Sequence, residues 1–123
     1  MNQDNSKAKV RKAFYSSGAL MKETPYVDGK EHGISKQYYE SGALWCEIPY
    51  VNGKTHGIEK WYCGSGALHS ETPYVNGQRH GIQKEYNRDT INIDYLILFN
   101  KDRILLTLSL EKVRKTSSVI SNI

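Results

Sequence analysis

Apolar and polar positions between Phe14 and Glu85 recur with a period of 24 residues, read three times without a gap. The second pass shows it most clearly: Tyr38, Ser41-Gly42-Ala43-Leu44, Glu47, Pro49-Tyr50-Val51-Asn52-Gly53, His56-Gly57-Ile58 and Lys60. Phe14, Leu20, Tyr26 and Ile34 in the first pass, and Tyr62, Leu68, Tyr74 and Ile82 in the third, occupy the same places. Self-similarity at such a period marks a repeat architecture. Each unit predicts two strands. One runs from about Ala43 to Val51, and the other from about Ile58 to Tyr62, with Ile58, Lys60 and Tyr62 on one face by the two-residue alternation. Asn52-Gly53, matched by Asp28-Gly29 and Asn76-Gly77, supplies the positive φ of a tight hairpin turn. Ser41-Gly42 turns the chain into the next unit.

Proline at 25, 49 and 73 conflicts with a central strand, because it cannot donate to the ladder. It implies a bulge, or a strand paired only up to that point. Ahead of the first full unit, Val10, Lys12 and Phe14 fall where Ile34, Lys36 and Tyr38 fall, so the array opens on a half-unit that provides an edge strand. After Asp89 the pattern dissolves. The segment that follows is more apolar, and Leu106-Thr107-Leu108-Ser109-Leu110 alternates like a strand. Arg103 to Arg114 also reads as an amphipathic helix. A closing β-hairpin is preferred, because an array needs an atypical end unit to cover its last edge. The expected organisation is a disordered arm (1–8), the β-hairpin array (9–89), an apolar cap (90–111) and a flexible tail (112–123). The fold class is all-β: an elongated single-layer antiparallel meander of about three hairpin repeats with a capping hairpin or helix.

Composition agrees with a single layer: 38% hydrophobic residues and a mean hydropathy of −0.63 are low for a deep two-layer core. The net charge of +4 comes from the ends. Lys7, Lys9, Arg11 and Lys12 face one acid, Asp4, in the first twelve residues, whereas residues 13–89 carry eight basic and nine acidic side chains. The array thus lacks the basic stripe of a nucleic-acid binder, and nucleic acid is not an expected partner. Two cysteines, Cys46 and Cys63, at non-equivalent repeat positions form neither a disulfide framework nor a metal knuckle. A polar start and the lack of a long apolar run lead to the expectation of a cytoplasmic chain with reduced thiols.

Tyr38, Ser41-Gly42, Tyr50, Asn52-Gly53-Lys54 and His56-Gly57 resemble the MORN repeat, in its bacterial variant. The resemblance covers Phe14 to about Tyr86. It implies a curved, single-layer antiparallel meander with one hairpin per unit. It also implies the associations of that family: antitoxins of toxin–antitoxin pairs for the bacterial variant, and scaffolding, dimerisation or lipid-headgroup contact for eukaryotic relatives.

His32, His56 and His80 recur once per unit, as do Glu23, Glu47 and Glu71. Equivalent residues two strands apart are separated by about 9.5 Å, whereas zinc collects ligands at about 2.0–2.3 Å. A metal site is therefore not expected, nor any cofactor. The carboxylate column has a spacing that a glycosidase could use, but a periodic ladder produces the same spacing, with Glu set beside Lys36 or Lys60 as a surface pair. No nucleophile or phosphate loop is evident, and no enzyme is expected. Repeated apolar positions such as Ile34, Ile58 and Ile82 are assigned to building the stack. Trp45 and Trp61 instead fill slots occupied by Met21 and His69, and by Gln37 and Glu85. A large aromatic that the fold does not demand is a candidate anchor for a protein partner; the alternative is that each fills a local gap. With Tyr26, Tyr50, Tyr74 and Tyr39 they form the candidate partner-binding set. The expected function is a protein-interaction module, an antitoxin- or immunity-like protein that occludes a partner, in the simplest case a cognate toxin. A membrane-surface or lipid-headgroup module is the alternative. Self-assembly as a homo-oligomer through residues 90–111 is compatible with either.

Overall fold

A computed structural model describes residues 7–90 and 92–110. The expected flexible tail, and all of the N-terminal arm but its last two residues, lie outside this range. Its strands are β1 (Ala8–Phe14), β2 (Leu20–Val27), β3 (Lys30–Glu31), β4 (Gly33–Tyr38), β5 (Leu44–Val51), β6 (Lys54–Thr55), β7 (Gly57–Tyr62), β8 (Leu68–Val75), β9 (Gln78–Arg79), β10 (Gly81–Tyr86), β11 (Ile93–Asn100) and β12 (Arg103–Ser109). They form one antiparallel sheet in the order β1-β2-β4-β5-β7-β8-β10-β11-β12, with the short β3, β6 and β9 paired to β2, β5 and β8. Neighbours in space are neighbours in sequence throughout, which defines an open meander.

The half-unit is β1. Val10 pairs with Pro25 and Lys12 with Glu23, as Ile34 pairs with Pro49 and Lys36 with Glu47 one repeat later. Its strand begins at Ala8, and the Lys7 amide donates to Asp28 Oδ1 at 3.1 Å. Ala8 therefore belongs to the sheet and not to an arm, with Lys7 hydrogen-bonded beside it. At the other end Ile93–Asn100 and Arg103–Ser109 form the expected hairpin: Leu96 pairs with Leu108 and Leu98 with Leu106, and a bulge leaves Leu105 as the extra residue.

The prolines mark bulges. Tyr50 pairs with Thr55 and Glu47 with Lys60, leaving Ile48 and Pro49 opposite His56, Gly57, Ile58 and Glu59. Pro49 O accepts the His56 amide at 3.0 Å. Because a strand residue's N and O point the same way, the missing proline donor faces the bulge, where the ladder is already broken. The chain must pass close over the ring: Gly57 has φ +119, and a Cβ there would lie 3.1 Å from Pro49 Cγ. Gly33 meets Pro25 more tightly, at 2.9 Å with φ +112. Glycine is the residue that tolerates both conditions.

The two faces differ. Among the described residues Thr24, Ser35, Cys46, Ser70, Thr72 and Phe99 are buried, and alternation along their strands puts all of them on one side, here the buried face. The opposite side, the ladder face, presents Glu23, Glu47 and Glu71, each paired in register with a lysine on either side. A single layer encloses little apolar volume, so small side chains fill its interior. Thr24 and Ser35 satisfy each other there through a 2.8 Å hydroxyl hydrogen bond.

Candidate functional site

Trp45 lies at a bulge. Gln37 pairs with Cys46 and Tyr38 with Leu44, which leaves Trp45 as the extra residue of β5. An unpaired bulge position re-aims its side chain, and here the indole meets Trp61, with ring centroids 5.2 Å apart and planes at 80°. Trp61 is itself opposite Cys46, so the pair sits on the buried face. Edge-to-face contact is the favoured geometry between such rings. Tyr39 completes the cluster at 5.9 Å from Trp45. Trp45 remains 36% exposed. Beneath the cluster Cys46 is fully buried. Burial, followed by the Glu59 charge, pushes its thiol up to about 11, which makes it a packing residue and a poor nucleophile.

The six partner-binding candidates therefore divide. Tyr39, Trp45 and Trp61 come together. Tyr26, Tyr50 and Tyr74 share their face but lie two residues from the turns, opposite Glu31, Thr55 and Arg79. Tyr50 is four residues beyond Cys46, or about 13 Å along the strand. Arg11 lies over the Tyr26 ring at 4.3 Å. Burial first, and then the charge of Glu31 for Tyr50 and Glu59 for Tyr74, raises both phenols above their ordinary value. Tyr39 also has a framework role, since its hydroxyl donates to Tyr62 O at 2.7 Å, as Tyr15 does to Tyr38 O at 2.6 Å one repeat earlier.

The histidine and glutamate columns are committed to the framework as well. The Asn52 amide donates to His32 Nδ1 at 3.2 Å, the Asn76 amide to His56 Nδ1 at 3.2 Å and the Lys101 amide to His80 Nδ1 at 3.3 Å. Each histidine thus clasps the turn of the following unit. Among the described residues no group of three or more His, Cys, Asp or Glu is placed to hold a metal ion. The carboxylates stand beside the expected lysines across the strands and accept tyrosine hydroxyls, Tyr38 to Glu23 at 2.8 Å, Tyr62 to Glu47 at 2.9 Å and Tyr86 to Glu71 at 2.5 Å. Tyr38 and Tyr62 are pushed up to about 12, by burial first and the Glu hydrogen bond second. For Tyr86, also about 12, the Glu71 hydrogen bond comes first.

One surface escaped the sequence reading. Ile34, Ile58 and Ile82, assigned to the stack, are 50%, 50% and 51% exposed. With the prolines they line consecutive shallow grooves on the ladder face, Ile34-Pro49-Ile58 and then Ile58-Pro73-Ile82. Their alternation with Lys36, Lys60 and Lys84 was the available signal that they face water.

Comparison with known proteins supports the repeat. The MORN repeat variant family matches residues 31–52, from β3 through β5 into the Asn52 turn. MORN repeats are non-enzymatic modules that generally mediate protein or membrane interactions. No curated protein matches the chain.

Proposed function

We propose that this chain is a protein-interaction module of antitoxin or immunity type, one that binds and occludes a protein partner through the aromatic cluster of its buried face. The observation that carries this reading is the Tyr39–Trp45–Trp61 cluster in the central repeat. Two tryptophans stand where the flanking repeats have Met21, His69, Gln37 and Glu85, and one of them is aimed by a bulge and kept partly exposed. Rigid aromatic anchors of this kind dominate binding energies at interfaces. The cytoplasm, where such a partner would be met, is the proposed location.

The test is co-purification with the product of the adjacent reading frame, for the wild type and for Trp45→Ala and Trp61→Ala. Capture by the wild type, and its loss in variants that keep their β-sheet circular dichroism, is the expected result. Capture undiminished by either substitution would reject the cluster as the anchor. A membrane reading draws on the exposed cations of β1, Lys9, Arg11 and Lys12. It requires binding to anionic vesicles that weakens steeply with salt.

A further inference from the structure

The column of residues that opens each turn between repeats is broken once. Tyr15, Tyr39 and Cys63 stand 24 residues apart, and their turns share one geometry. In each, the residue's amide donates to Ala19, Ala43 or Ala67 O at 2.8 Å, and its carbonyl accepts the Gly18, Gly42 or Gly66 amide at 2.9 Å. Tyr15 and Tyr39 reach into the next unit, where their hydroxyls donate to Tyr38 O and Tyr62 O. Tyr86 holds the third such place, beside a strand bulge as Tyr38 and Tyr62 are. Cys63, a free thiol, is too short to reach it. Among the described residues the hydroxyl contact made to Tyr38 O and Tyr62 O has no counterpart at Tyr86 O. A cleft of about 390 Å³ lies there instead, lined by Tyr39, Cys63, Gly64, Ser65, Arg88 and Asp89. That volume falls within the range of small-ligand sites.

We infer that this slot receives a tyrosine side chain presented by a partner polypeptide, its hydroxyl donating to Tyr86 O and its ring standing over Cys63. The molecule displays the fit twice within itself, because the two preceding repeats fill the equivalent slot with the same group. The Cys63 turn keeps the repeat geometry, so the slot has not closed over the missing ring. A tyrosine brings apolar area and one donor at a low cost in rotamer freedom. Arg88 and Asp89 at the rim, where earlier turns have Ser16-Ser17 and Glu40-Ser41, offer a donor and an acceptor to the peptide groups flanking that ring. The slot borders the aromatic cluster through Tyr39 but does not depend on it. Failure of the tryptophan anchor would leave it standing, and its test needs no partner.

The full chain is titrated with acetyl-Gly-Tyr-Gly-amide and followed by amide proton and nitrogen shifts. Saturable shifts centred on Gly64, Ser65, Asn87 and Arg88 are expected, with a dissociation constant of about 1 mM or below. The matching phenylalanine peptide, which lacks the donor, should bind about fivefold more weakly. Cys63→Tyr should fill the slot from within, abolishing the peptide shifts and raising the thermal midpoint by about 4 °C. Cys63→Ala leaves the slot empty and should bind the peptide as the wild type does. The wild-type comparison of the two peptides needs no variant. Shifts at these amides that do not saturate by about 10 mM, or equal binding of the phenylalanine peptide, overturn the inference. So do a lowered midpoint for Cys63→Tyr and undiminished peptide binding by that variant. Binding of p-cresol as tight as that of the peptide would overturn it too, by assigning the slot to a free phenol.

Discussion

The repeat body and the closing hairpin share a backbone plan but differ in what they display. Across the middle of the body the ladder-face row reads Lys12, Glu23, Lys36, Glu47, Lys60, Glu71 and Lys84, strand by strand, and in the hairpin the same row ends in Leu96 and Leu108. The turns differ too. Asp28-Gly29, Asn52-Gly53 and Asn76-Gly77 suit a two-residue reverse turn by residue type. Lys101 and Asp102 take the same conformation, with φ 49° and 67°, against their intrinsic preference. External contacts hold them. The Lys101 amide reaches His80, the Asp102 amide donates to Arg79 O at 2.8 Å, and Asp102 Oδ1 accepts both the Arg79 amide and its Nε at 2.8 and 3.0 Å. Arg79 also lies 4.5 Å over the Phe99 ring. The array thus propagates through turn amides that any unit owns, received by the histidine of the unit before, so a unit of foreign composition can be added as long as its turn can be clasped. Its side chains are then free to do something else.

Substitutions can break or sharpen this contrast. The largest effect is expected from Gly33→Ala in the body, where the added methyl meets Pro25 and φ is unsuited to alanine; a loss of about 2–3 kcal/mol should appear in urea unfolding. Gly29→Ala, at φ +78 with nothing within 4 Å of the added Cβ, should cost about 1 kcal/mol. Tyr62→Phe removes the hydroxyl that Glu47 accepts and should cost about 1 kcal/mol. His56→Ala leaves the Asn76 amide without its imidazole acceptor, for about 0.5–1 kcal/mol, and the neighbouring amides should exchange faster.

The smallest changes concern the hairpin and pH. Asp102→Ala should speed amide exchange in β11 and β12 before it moves the global midpoint, because its partners hold the closing turn alone. If the whole sheet loosened equally, the distinction between body and cap would fail. Asp102 is held below its ordinary value by the Arg79 amide and guanidinium. Its contribution is therefore present at neutral pH and lost as pH falls through the carboxylate range. The body shows the opposite dependence. Cys46 sits at about 11 against an ordinary 9.0, and Tyr38, Tyr62 and Tyr86 at about 12 against 10.0. The unfolded chain releases these protons first, so stability is whole below about pH 9 and falls as pH rises to about 12. Unfolding at pH 8 and pH 10.5, compared with the same pair for Tyr62→Phe, measures this: the variant should lose less.

Much of the fold was legible in the sequence. The 24-residue period, the Asx-Gly turns and the alternation Ile58, Lys60, Tyr62 follow from local stereochemistry, and in a meander sequence neighbours are spatial neighbours. The half-unit at β1 was readable for the same reason. Where a residue's role depends on the next unit, the one-dimensional pattern was silent. It showed that histidine recurs, but not that Nδ1 of each accepts an amide about twenty residues on. It showed recurring glutamates beside lysines, whereas the partner is a tyrosine hydroxyl fifteen residues away. It singled out six aromatic candidates, and only the bulge at Trp45 brings three of them together.

The sequence by itself determined the repeat, its turns and its single antiparallel layer, because each is a property of contacts within one period. Tertiary structure alone decided how Lys101 and Asp102 are held in a glycine-like turn, which group each recurring histidine and glutamate meets, and which aromatics come together. Those outcomes depend on what lies across the strand, and in a single-layer sheet each side chain has only those neighbours and water.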